Sequence, residues 1–146
     1  MQTNTGRNLN HVQDVETILH DGATLTASSN GQISASDKIL DLGGDTFVQG
    51  IMAVNVTAII INDNDELYEI VLQGSTDPAF ASDIQDLASV KLGALEVLNG
   101  DNDTVVGRVD VPFVNDHNGE AFQFLRARII VSGNTPSIDA EIYLVK

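Results

Sequence analysis

Cysteine is absent from the 146-residue chain, which excludes disulfides, thiolate metal sites and cysteine nucleophiles together. Tryptophan is absent as well, and five Phe and two Tyr are all the aromatic residues. So few rings leave little to stack a sugar on, or to wall a cleft that pushes two carboxyl pKa values apart for acid–base work. Basic residues are also scarce: seven Lys and Arg stand against 21 Asp and Glu, for a net charge of −14. Only Arg126 and Arg128 form a close basic pair. Such a surface repels phosphate backbones and anionic lipid, so neither nucleic acid nor a membrane is expected as a partner. No apolar run approaches the ~18 residues that span a bilayer. The first ten residues are polar and lack the apolar core of a signal peptide, so synthesis in the cytoplasm is expected.

What remains is an apolar fraction of 42%, rich in Val and Ile, in a length that suits one domain. The opening residues read as a polar arm. Val12, Val15, Ile18 and Leu19 are spaced for a short helix, or for an arm that docks on a neighbour, so residues 1–22 are assigned to an N-terminal arm or short helix. From residue 23 to 146 short alternating runs and turn signals succeed one another. Strands are expected at 23–27, 38–42, 51–61, 67–73, within 84–98, and at 104–114, 122–131 and 139–145. In the long run at 51–61, Met52, Val54, Val56, Ala58 and Ile60 share one face; in the next, Tyr68, Ile70 and Leu72 do. Asn99-Gly100 is the expected type I′ hairpin turn, because both residues accept positive φ. Connections this short exclude parallel βαβ units. The expected fold is therefore all-β, an antiparallel two-sheet jelly-roll sandwich over residues 23–146.

Motifs with chemical content are few. His11, His20 and His117 are scattered through polar stretches without ligand spacing, and read as solvated loop residues. Ser75 lies in Gln73-Gly74-Ser75-Thr76 and lacks the nucleophile-elbow pattern; with Asp77 it reads as a local turn. Gly43-Gly44 is followed by no Gly-Lys-Ser/Thr and reads as a tight turn. Two oxygen-rich segments, Asn62-Asp63-Asn64-Asp65-Glu66 and Asp101-Asn102-Asp103, carry the hard donors that Ca²⁺ takes. Counted from Asp63, however, the places of the calcium loop's glycine and glutamate hold Tyr68 and Gly74. Hairpin turns are needed at both segments, and a turn is the preferred reading. No catalytic, cofactor-binding or metal-ligating residue is assigned, and no cofactor or enzymatic activity is expected.

Three segments, in order, carry a family resemblance. Leu25-Thr26-Ala27-Ser28-Ser29 leads into Lys38-Ile39-Leu40-Asp41-Leu42-Gly43-Gly44; Val71-Leu72-Gln73-Gly74-Ser75-Thr76-Asp77-Pro78-Ala79-Phe80 follows. Phe124-Leu125-Arg126-Ala127-Arg128 then turns through Val131-Ser132-Gly133-Asn134-Thr135-Pro136 into the last strand. Together they resemble the capsid cement (decoration) proteins of tailed phages of the Bordetella-phage type. The resemblance implies a jelly roll without catalysis, a homo-oligomer (dimer or trimer), and attachment to the major capsid protein on the outer surface of the virion. In such a protein the N-terminal arm and the loop faces are expected to make the shell contacts.

Overall fold

In the computed structural model, which describes residues 17–44 and 46–145, the chain is all-β. The first strands are short: β1 (Ile18–Asp21), β2 (Ser29–Asn30), β3 (Gln32–Ile33), β4 (Ser36–Asp37) and β5 (Leu40–Asp41). Long strands β6 (Gln49–Ile59), β7 (Leu67–Ser75) and β8 (Gln85–Gly93) follow, then the ribbon β9 (Glu96–Val97) and β10 (Gly100–Asp101). After β11 (Gly107–Val114) comes a second ribbon, β12 (Asp116–His117) and β13 (Glu120–Ala121). The chain closes with β14 (Phe124–Ser132) and β15 (Ile138–Val145).

Two antiparallel sheets face each other like a sandwich. One has the order β1-β15-β6-β11. In the other β14 pairs with β7 and β7 with β8, while β2 and β5 each pair with part of β14. The period-two runs explain why. Met52, Val54 and Val56 of β6 and Ala140, Ile142 and Leu144 of β15 point from the first sheet onto Tyr68, Ile70 and Leu72 of β7 and Leu125, Ala127 and Ile129 of β14. Each large aliphatic side chain so buried stabilises the fold by about 1.5–3 kcal/mol relative to leaving it in water. At one end of the sandwich lie the connections 60–66, 94–106 and 133–137; at the other lie 42–44, 46–48, 76–84 and the segment around β12 and β13.

Several expectations are corrected. The expected strand at 23–27 is reduced to a single bridge, Leu25 to Ile138. The edge strand is instead β1, within the stretch expected as arm or helix: it pairs with β15, and Leu19 is fully buried. Gly22, at φ +90°, then turns the chain out of the sheet. The rest of the arm, 1–16, lies outside the described residues. Alternation in β6 breaks where Asp139 pairs with Ala58 but Ala140 pairs with Val56. This bulge at Thr57 shifts Ala58 to solvent and turns Ile59 onto the core. β11 begins only at Gly107, leaving Val105 outside the sheet and exposed. The Asn99-Gly100 hairpin exists, but Val97 pairs with Gly100, so Leu98 and Asn99 make the turn and only Asn99 has positive φ. Paired positive φ values occur at Asn118-Gly119 and at Ser34-Ala35, which no glycine announces.

Candidate functional site

The acidic turn after β6 gathers three carboxylates, those of Asp63, Asp65 and Glu66. Glu66 is fully buried where three connections meet. Its carbonyl accepts the Ala94 N–H at 2.9 Å, and a Cβ at Gly93 would collide with that same carbonyl. On the other side a Cβ at Gly133 would come within 2.6 Å of Glu66 Cα. Gly93 (φ +109°) and Gly133 (φ +111°) are thus the small residues that let the chain close around Glu66. The Glu66 carboxylate accepts the Asp63 N–H (3.2 Å to Oε2) and the Thr135 hydroxyl (3.1 Å to Oε1). Asn134 donates from its amide nitrogen to Asp63 Oδ2 (3.1 Å) and from its backbone to Asp65 Oδ1 (3.2 Å). Tyr68 completes the corner: its hydroxyl accepts the Ser137 N–H at 2.9 Å and lies 2.7 Å from the Ile60 carbonyl. Burial there raises the Tyr68 pKa, so the phenol keeps its proton for that bond.

Oxygens of Asp63, Asp65 and Glu66 all lie within 4.8 Å of one another. Ca²⁺ takes six to eight oxygens. Here the three carboxylates accept bonds from Asp63, Asn134 and Thr135, which tie the 62–66 turn to the 133–137 connection. The arrangement acts as a latch between β7 and β15. The second acidic segment gathers into no such group: Asp101 and Asp103 are exposed, and the Asn102 N–H closes the ribbon on the Leu95 carbonyl at 2.6 Å.

Several of the other residues singled out in the sequence are held in hydrogen bonds within the fold. Ser75, fully buried, donates to the Ser82 carbonyl (2.8 Å) and accepts the Asp77 N–H (2.9 Å). Asp77 accepts the Ala79 and Ala81 N–H groups, which hold its pKa below the usual carboxylate value. Gly43 and Gly44 adopt positive φ in an open loop, where the Gly43 N–H caps Asp41 at 2.8 Å. His117 is exposed, and His11 lies outside the described residues. His20 is the correction: it is 1% exposed rather than solvated. Its Nδ1 accepts the Gln32 N–H (3.1 Å) and its Nε2 faces the Ala23 carbonyl (3.0 Å), which places the proton on Nε2. The ring pins the β2–β3 segment to the β1 edge.

One buried polar residue went unnoticed in the sequence. Asn115, in the expected turn after β11, has no exposure. Its Oδ1 accepts the Val48 N–H (2.6 Å), and its Nδ2 donates to the carbonyls of Thr46 (2.7 Å) and Phe122 (3.1 Å). The buried polar side chains among the described residues are therefore His20, Glu66, Ser75 and Asn115, and each makes hydrogen bonds that join chain segments.

The surface holds what is left. On the outer face of the second sheet, Arg126 lies 4.4 Å over the Phe80 ring and donates to Gln73 (3.0 Å), while Arg128 reaches Asn30 (3.3 Å). One shallow groove runs along Gln49, Gly50, Ile51, Leu87, Pro112, Phe113 and Val114, and no titratable side chain lines it. Large apolar side chains stand in solvent at both ends. Phe47 is 63% exposed at one, and Val97, Leu98, Val105 and Val106 cluster in sequence at the other, with Leu98 92% exposed. Leu98 sits in the two-residue turn of the β9–β10 ribbon, where an apolar residue has no core to enter. No family model matches the chain, and no curated protein matches it either.

Proposed function

We propose that the protein is a capsid cement protein of a tailed phage, a non-enzymatic jelly roll that binds the outer surface of the major capsid protein shell as a homo-oligomer. The observation that carries the reading is the strand order. Counting β2 and β5 as one interrupted strand, the eight principal strands form the orders 1-8-3-6 and 2-7-4-5, each sheet alternating early and late strands. That interleaving is what folding a long antiparallel hairpin over itself gives, the double Greek key of a jelly roll, an architecture frequent in viral shells. The resemblance of the segments around Leu42, Phe80 and Arg126 supports the same family.

A cement protein performs no reaction; in this fold His20, Glu66, Ser75 and Asn115 each make hydrogen bonds that join chain segments. Binding only the assembled shell stabilises it by mass action. A two-layer sandwich with a close-packed core transmits force without deforming. The charge of −14 keeps free copies soluble, steers them to basic protein and keeps them from the genome.

The test is to mix the purified protein with empty shells assembled from the major capsid protein of the phage that encodes it, and to image them by electron cryomicroscopy. Ordered added density on the outer surface is expected; bare shells at saturating protein refute the reading. A truncation that probes the arm must stop at residue 16, because removing residues through His20 takes β1 and the buried Leu19 from the sheet.

A further inference from the structure

We infer that the connection between β8 and β11 is the shell-facing surface, and that it docks into an apolar depression rimmed by lysine or arginine on the partner protein; this rests on the cement reading. The connection exposes Val97 (50%), Leu98 (92%), Val105 (78%) and Val106 (59%), the strongest concentration of exposed aliphatic side chains among the described residues. Exposed apolar groups held together in this way mark interaction surfaces.

The connection is also braced rather than left to collapse. The Thr104 N–H reaches the Gly93 carbonyl at 3.0 Å and the Gly93 N–H returns to Thr104 Oγ1 at 2.9 Å. Asn102 closes on Leu95, the β9–β10 ribbon pairs Val97 with Gly100, and Asn64 donates to Glu96 at 3.3 Å. The aliphatic side chains are thus presented on a scaffold whose ordering cost is already met in the free protein, which favours affinity.

Charge names the partner's chemistry. Within residues 94–106 the ionisable side chains are Glu96, Asp101 and Asp103, and none is basic. The neighbouring latch adds the exposed Asp63 and Asp65. A second copy of this chain would bring the same carboxylates, so like charges oppose self-docking through this surface. An apolar seat with a cationic rim complements both features.

The experiment measures binding to the same empty shells by co-sedimentation, for the wild type, for the double variant Leu98→Ser/Val105→Ser, and for Phe47→Ser at the opposite end. All three positions are exposed, and matched melting curves establish that the variants fold. The double variant is expected to bind at least 30-fold more weakly, Phe47→Ser within about twofold of wild type, and wild-type affinity to fall about tenfold or more from 50 to 500 mM NaCl. Wild-type affinity that holds constant across that range overturns the cationic rim. Equal binding by the double variant overturns the inference while leaving the cement reading intact, as does selective loss in Phe47→Ser. A change in oligomeric state with unchanged shell affinity would make the surface a self-contact and also overturns it. Failure of the wild type to bind shells at all removes both readings.

Discussion

Replacing Glu66 by Gln decides what holds the acidic corner together. The substitution preserves shape, and the hydrogen bonds can be re-formed. An amide oxygen in the place of Oε2 still accepts the Asp63 N–H, now 3.2 Å away. The amide nitrogen in the place of Oε1 donates to Thr135 Oγ1, and that hydroxyl turns its proton to Asp63 Oδ2, now 3.4 Å away. What changes is charge. Oxygens of Asp63, Asp65 and Glu66 lie within 4.8 Å of one another, and neither ion pair among the described residues, Lys91–Glu69 or Arg108–Asp110, touches them. Two unit charges at that spacing repel by about 3.5 kcal/mol at an effective dielectric of ~20 and by about 1 kcal/mol in water. Asp63 and Asp65 are exposed and screened, so the realistic relief is about 1–2 kcal/mol. For a domain of this length that raises the melting temperature by roughly 3–6 °C. Scanning calorimetry at pH 7 in low salt should show the rise, which should shrink in high salt. EDTA and millimolar calcium should both leave the wild-type transition where it is. The reasoning is refuted if calcium raises the wild-type transition and Glu66→Gln lowers it, because the carboxylates would then be ligands rather than a strained latch.

Two further substitutions test other joints. Asn115→Asp keeps the acceptor for Val48 but sets an acid against the Thr46 and Phe122 carbonyls, so the buried carboxyl needs its proton to donate. Its folded pKa is thereby raised, so the cost relative to wild type should be about 1 kcal/mol near pH 4 and grow to about 3 kcal/mol by pH 7; urea midpoints at the two pH values check this, and a pH-independent difference contradicts it. Ala35→Gly relieves a left-handed residue (φ 65°) in the Ser34-Ala35 turn, worth about 1–2 kcal/mol against the roughly 0.5–1 kcal/mol of extra glycine entropy. A net gain of about 0.5–1 kcal/mol in chemical denaturation is expected, and a loss would mean the turn is not strained.

The central strands were legible because a half-buried strand writes its own period. Tyr68, Ile70 and Leu72 in β7, and Ala140, Ile142 and Leu144 in β15, are buried as their spacing predicts, although Val71 and Tyr143 between them are buried too. Legibility failed where a distant partner decides. Ile18 to Asp21 carries no alternation, and His20 looks like a solvated residue until Ala23 and Gln32 satisfy its ring. Alternation alone places Ala58 on the core face, and the structure exposes it, because the bulge at Thr57 is set by the pairing with β15, some eighty residues away. The Ser34-Ala35 turn gave no signal, since neither residue favours positive φ; Asp21 steadies it by accepting the Ser34 N–H at 2.8 Å.

The candidate site was hidden for a related reason. A sequence is searched for chemistry through its polar residues, and here those that look most reactive are the ones used up indoors. Glu66 and Ser75 lie in the segments that drew attention as a metal loop and a nucleophile, yet each holds a connection in place. Asn115, which drew none, makes three side-chain hydrogen bonds. Once these are satisfied, their free energy goes into fixing the loops. What the molecule leaves available is the converse set: Leu98 and Val105, aliphatic residues in a connection braced by Gly93, Thr104 and Asn102 outside the core. An aliphatic side chain held in water by a rigid scaffold costs solubility and gives nothing to the isolated fold. Its presence beside an otherwise well-buried core is the feature on which the proposed docking surface rests, and the surrounding carboxylates are the basis for proposing a cationic rim.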